Sequence, residues 1–135
     1  MPARARREAR SGPTPPTACG RLLYVPVIES CANFRVEPVE FKEGLPYYGG
    51  EATTHSDHWG AVRAFDPAAG RRVWEWRNDK PMVASVLATG GDLVFAGEPT
   101  GEFNAYNART GELLWQHQTG SGHHSNPVSY SVGGK

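Results

Sequence analysis

The 135-residue sequence has little cysteine, little methionine, no surplus of either charge and no long apolar run. Its two cysteines, Cys19 and Cys31, fall in neither a CxxC nor a CxxCH pattern. That excludes the spacings of zinc ribbons, thioredoxin-like redox sites and haem attachment. Two free thiols, or one thiol whose disulfide partner is absent, are the readings that remain. Lys+Arg 14 balance Asp+Glu 14, so no chain-wide basic face points to nucleic acid and no acidic surplus to a solvating tail. No stretch approaches the ~18 apolar residues of a spanning helix, so no membrane span is expected. Helical periodicity is absent. So are a GxGxxG fingerprint and a phosphate-binding loop, and Ser129 and Ser131 lie in no nucleophile-elbow pattern.

What is present is turn formers and aromatics. Gly 16 and Pro 11 are well above the average share of those residues, roughly 12% together. With Trp 4, Tyr 5 and Phe 5, the composition describes aromatic strands joined by many turns. Residues 1–20 differ from the rest. Arg4, Arg6, Arg7 and Arg10 are followed by Ser, Gly, Pro and Thr rather than by the apolar stretch of a secretory signal. This segment is expected to be a disordered basic, Pro-rich arm, with no signal peptide, ahead of a folded region at 21–135.

An internal repeat is the main signal. GAVRAFDPAAGRRVW (60–74) aligns without gaps on GEFNAYNARTGELLW (101–115), so the offset is the same at every pair. Gly60 matches Gly101, Ala64 matches Ala105, Phe65 matches Tyr106, Asp66 matches Asn107, Gly70 matches Gly111 and Trp74 matches Trp115. A period of roughly 40 with Gly and Trp at fixed places is the signature of a propeller blade. Each unit reads as strand, turn, strand. Asp66 or Asn107 accepts from backbone amides two residues on, and Gly70 or Gly111 takes the positive-φ position. The second strand carries a Trp able to pack between neighbouring sheets. Further strands are expected at 22–29, with Pro26 marking an edge or bulge, at 127–132, and in a hairpin at 85–97 turning on Gly90-Gly91. Residues 32–58 read as a long irregular excursion. The expected fold is therefore all-β, a partial propeller of about two to three blades.

The run DKPMVASVLATGGDLVFAGEPTGEFNAYNARTGELLWQHQTGSG, the following NPVSYSVGGK, and LLYVPVIESCANFRVEPVEFKEGLPYYGG closely resemble the C-terminal part of the PQQ-dependent alcohol and methanol dehydrogenases. The resemblance covers roughly residues 21–135. It implies an eight-bladed periplasmic propeller with PQQ stacked over calcium. It also implies oxidation of small primary alcohols by hydride transfer to the quinone, assisted by an Asp base. By the same resemblance, the Asp base, the calcium ligands, the vicinal Cys pair and the Trp beneath PQQ belong to upstream blades, so no catalytic residue and no metal ligand is assigned here. The family's PQQ-contacting Asn maps near Arg10, outside the resembling region. A family Trp maps to Val83, and the final Gly-Trp contact would lie beyond Lys135. The family partner of Cys31 would sit near Pro2. Val83 and Ala84, with Ser85 beside them, align with the PQQ-proximal turn and are the candidate cofactor contacts, through their backbone.

Other candidates have plainer explanations. His55 and His58, or His117 with His123 and His124, lack the spacing and companions of a zinc site. Glu37, Glu40 and Glu43 read as a solvated loop face rather than paired acid–base groups. Asp66 has Asn107 as its repeat partner, which favours turn capping over catalysis. Two functional readings follow. In the first, the chain is a truncated part of a PQQ-dependent alcohol dehydrogenase, inactive alone, whose partners are the remaining blades. PQQ and calcium would be bound by the intact enzyme and neither by this fragment. In the second, the chain is a cofactor-free scaffold that associates with itself through open edges.

Overall fold

The computed structural model describes residues 5–6 and 22–133. Within them, ten strands make three antiparallel sheets. They are β1 (Ala5–Arg6), β2 (Leu23–Glu29), β3 (Cys31–Val36), β4 (Gly50–Thr54), β5 (Trp59–Asp66), β6 (Arg71–Asn78), β7 (Val86–Ala88), β8 (Leu93–Gly97), β9 (Glu102–Asn107) and β10 (Leu113–Gln118). One sheet runs β2-β5-β6, a second β10-β9-β8-β7 and a third β1-β3-β4. No helix is long and apolar enough to cross a membrane among the described residues.

The repeat read from the letters is a repeat of pairings. Ala64 lies opposite Trp74 in β5–β6, and Ala105 lies opposite Trp115 in β9–β10. Both pairings carry a register shift at the same place, leaving Val73 and Leu114 as the extra residues. Such a bulge re-aims the next side chain, here the Trp. Both turns are capped as expected. Asp66 Oδ1 accepts from the amides of Ala68 (3.0 Å) and Ala69 (3.1 Å), and Asn107 Oδ1 from those of Arg109 (2.9 Å) and Thr110 (3.2 Å). Gly70 and Gly111 take φ +63° and +76°. The β7–β8 hairpin closes over Gly90-Gly91 with Asp92 at φ 59°. Pro26 sits in β2, an edge strand, where a missing amide proton does least harm to the ladder.

The core lies between the first two sheets. Tyr24, Val62, Ala64 and Trp74 meet Val86, Val94, Ala96, Tyr106 and Ala108. Trp74 is the principal bridge. Its indole Nε1 donates to the carbonyl of Ala108 at 2.9 Å, in the β9–β10 turn, and Tyr24 Oη donates to the same oxygen at 3.0 Å. The ring also covers Gly111, where a Cβ would stand 2.6 Å from an indole carbon. Trp76 adds a ring contact to Tyr106 at 5.1 Å.

Several expectations are corrected. Residues 32–58 are not irregular throughout. They contain β4 and most of β3, which form a separate sheet inserted between β2 and β5. Ala32, Phe34 and Val36 alternate with Asn33 and Arg35 as in a strand, but the run is short and no β3 or β4 side chain is buried, and β4 (GEATT) carries no such alternation. Residues 127–132 form no strand. Their apolar side chains Val128, Tyr130 and Val132 are exposed, and no described strand lies alongside to complete a ladder. Trp115 does not pack between sheets as Trp74 does: it is 50% exposed, and β10 is exposed along its whole length. Of the arm at 1–20, Ala5–Arg6 is described as a short strand paired with Cys31–Ala32, and the rest lies outside the described residues.

Candidate functional site

One end of the packed sheets gathers the β6–β7 connection (79–85), the β8–β9 loop (98–101) and the segment after β10. Gly60 fixes the first of these. A Cβ there would collide with the backbone of Lys80 and Met82, so strand β5 lies directly against the connection. Met82 and Ala84 are buried at 2% and 1% exposure, and Val83 between them is 41% exposed. The aligned turn is thus anchored by alternate side chains and presents Val83 outward.

A polar cluster stands beside this turn. Asn78, at the end of β6, accepts the Lys80 amide at 2.7 Å through Oδ1 and donates through Nδ2 to Glu98. Asn104, fully buried in β9, donates to the other Glu98 oxygen and to Tyr106 Oη at 2.8 Å. Its own Oδ1 is buried without a hydrogen-bond partner. Burial pushes the Glu98 carboxyl above its ordinary value, against the hydrogen bonds from Asn104 and Asn78 that pull it down, while the charge of Glu102 pushes it up. Burial likewise raises the Tyr106 phenol, opposed by its bond to Asn104 and assisted by Glu98. With Glu98 at 6% exposure, the cluster joins strand ends and loop rather than presenting a reactive carboxylate. Sequence reading missed it because Asn78, Glu98 and Asn104 follow no spacing rule and meet only when two sheets pack.

A third feature is an open groove of about 340 Å³ lined in part by Gly97, Phe103, His123 and Asn126. The His123 ring lies against Phe103 at 5.5 Å, with Nε2 3.1 Å from Thr119 Oγ1. His117 instead stacks on Trp115 at 5.8 Å. His55 and His58 lie elsewhere, at the start of the segment leading into β5. Glu37 pairs with Arg35 at 2.9 Å, while Glu40 and Glu43 are exposed. Among the described residues, no three His, Cys, Asp or Glu side chains converge as a metal site. Cys31 is a half-buried free thiol, and Cys19 lies outside the described residues. Ser129 and Ser131 are exposed, in the segment that forms no strand.

Four-stranded and three-stranded antiparallel sheets, stacked face to face through Trp74, define a propeller-blade protein. Comparison with known proteins gives the particular family. A family profile described as outer membrane protein assembly factor BamB matches residues 35–133. The quinoprotein ethanol dehydrogenase of Pseudomonas putida is 43% identical over 117 residues, which cover 84% of this chain and 19% of that protein. The lanthanide-dependent methanol dehydrogenase of Methylacidiphilum fumariolicum is 34% identical over 115 residues, 81% of this chain and 19% of that one. Among solved structures, a europium-containing methanol dehydrogenase superposes with a TM-score of 0.71 at 32% identity, over 79% of this chain and 20% of that chain. The quinohemoprotein alcohol dehydrogenase of Comamonas testosteroni gives 0.69 at 28% identity, over 84% and 19%. The chain belongs to the PQQ-dependent alcohol and methanol dehydrogenase family. It spans about a fifth of the length of the relatives it matches.

Proposed function

We propose that the chain supplies two adjacent blades of a PQQ-dependent dehydrogenase that oxidises primary alcohols, and that it is inactive by itself. PQQ, when bound in such an enzyme, accepts the hydride of the alcohol. The described residues fit only the periphery of such a site. Val83, held outward between buried Met82 and Ala84, offers one apolar wall, and no set of described side chains is arranged to ligate calcium. The family resemblance assigns the base and the metal ligands to the remaining blades, and no chemical step is assigned to this chain. The periplasm, where the intact family members work, is the compartment that goes with this reading.

The observation that carries the proposal is the Trp74 contact. Its indole closes one sheet onto the turn of the next through Ala108 and Gly111, the face-to-face packing that a ring of blades repeats. The test supplies the missing blades. The upstream part of a relative such as the ethanol dehydrogenase is co-produced with this chain, loaded with PQQ and calcium, and assayed for alcohol-dependent dye reduction. Activity that appears only when both parts are present supports the reading. A stable complex of the two that remains inactive, with PQQ retained, refutes it. An antibody against residues 60–118 would also distinguish a polypeptide several times heavier in the source cells from a chain of this length.

A further inference from the structure

The repeat runs on, at the same offset, into the connection that follows each strand pair. Gly60 lies against Lys80 and Met82, and Gly101 lies against Ser121, whose amide and carbonyl a Cβ would meet at 3.2 Å. Gly60 pairs with Asn78, and the Gly101 carbonyl accepts from the Thr119 amide at 2.9 Å. Asn78 and Thr119 then hold equivalent turns. Asn78 Oδ1 accepts from the Lys80 amide at 2.7 Å, and Thr119 Oγ1 donates to the Ser121 carbonyl at 3.1 Å, each two residues on. The inward position of Met82 falls to His123, whose amide donates to the Glu98 carbonyl at 3.0 Å and whose ring lies over Gly97 and Phe103. His124 therefore stands where Val83 stands one blade earlier.

Val83 is 41% exposed although packed sheets flank its turn on both sides, so outward presentation belongs to this position in the repeat. Equivalent positions in successive blades are related by rotation about the central channel, which sets His124 at the same mouth as Val83. His124 is exposed, and among the described residues no hydrogen bond or ring contact engages it. The other nearby imidazoles are occupied, His123 by Thr119 and Phe103 and His117 by Trp115. From Leu113 through Lys135 the sequence contains no Asp or Glu. The turn thus offers the His124 imidazole, the Ser125 hydroxyl and the Asn126 amide, with no carboxylate of its own to occupy them. A set of donors around an ionisable imidazole suits an anion.

We infer that His124 is a binding residue of the site, donating from its imidazole to a carboxylate held in the mouth. Val83 gives that mouth an apolar wall, and His124, one blade on, gives it a polar one. The inference rests on the dehydrogenase reading above, which supplies one such ligand, because the quinone carries carboxylates of its own. A small organic acid is the other source of the same chemistry. Its readout is ligand binding rather than alcohol oxidation, so the two readings fail separately.

The experiment uses the complex of this chain with the upstream part of the ethanol dehydrogenase, in the presence of calcium. The complex is dialysed to equilibrium against PQQ, with bound quinone read by absorbance, and the PQQ-loaded complex is titrated with acetate by calorimetry. His124→Val copies the residue that the repeat carries one blade earlier, so the turn keeps a side chain it already tolerates at that position. His124→Arg restores a cationic donor. His117→Val removes the imidazole stacked on Trp115 and is the control for lost charge alone. His124→Val is expected to weaken one of the two ligands roughly tenfold, the size of one hydrogen bond to a charged group. His124→Arg is expected to recover it, and His117→Val to bind like the wild type. Weakened quinone binding assigns the carboxylate to the cofactor, weakened acetate binding alone assigns it to a small acid, and either supports the inference. It is overturned if His124→Val binds both ligands normally, if His124→Arg recovers nothing, if His117→Val loses as much, or if the wild-type complex binds neither ligand. Alcohol-dependent dye reduction in the same complex tests the dehydrogenase reading separately: an active complex indifferent to His124 overturns this inference alone.

Discussion

Trp74 and Trp115 occupy the same place in the repeat, yet their removal should have very different consequences. Trp74 is 8% exposed, covers Gly111, lies 5.9 Å from the Tyr24 ring and donates to Ala108. Truncating a buried Trp to Ala costs about 3–5 kcal/mol, transfer and cavity terms together. The lost hydrogen bond adds little beyond that, because the Ala108 oxygen still accepts from Tyr24 and a typical net contribution is ~1 kcal/mol. Trp115 is half exposed and packs against no second sheet among the described residues, so Trp115→Ala should cost less than about 1 kcal/mol. Urea unfolding followed by far-UV circular dichroism separates the two, since that signal does not depend on the tryptophan removed. A Trp74→Ala loss of ~3 kcal/mol or more, with Trp115→Ala nearly silent, is the expected result. Equal losses for the two variants would refute the assignment of Trp74 as the bridge between sheets.

Two further outcomes follow from the same packing. Gly111→Ala combines a strained φ of +76° with a Cβ at 2.6 Å from the Trp74 ring. It should destabilise by roughly 2–4 kcal/mol from backbone strain and overpacking, whereas Gly70→Ala, with the same strain and open space, should show only the smaller part, as thermal melts of both would reveal. Glu98 is held above its ordinary value of 4.5 by burial, so the folded state keeps its proton to higher pH than the unfolded state does. Stability contributed at this site therefore falls as pH rises from about 4.5 through the raised folded value, then levels off. Glu98→Gln lacks that titration, so the variant should gain on the wild type as pH climbs through the window. A stability difference independent of pH across it would show that the carboxyl titrates normally.

Local chemistry alone sets the turns at Asp66–Gly70 and Asn107–Gly111. An Asx acceptor and a glycine at a constant distance specify the same backbone wherever they occur. The constant offset between the two units established the equivalence of the two strand pairs, and the blocks at 22–50, 79–122 and 126–135 carried the family resemblance. Other features exist only because distant segments meet. Whether a repeated Trp is a bridge or an exposed ring depends on whether another sheet lies beyond it, and nothing near Trp74 or Trp115 in the chain encodes that. The Asn78–Glu98–Asn104 cluster arises from loops and strand ends brought together by two sheets. The inserted strands β3 and β4 are held mainly by backbone pairing, with no buried side chain. The alternation of Ala32, Phe34 and Val36 was the one trace of β3 in the letters. Main-chain hydrogen bonds leave none in residue type, so β4 becomes visible only once β3 is in place.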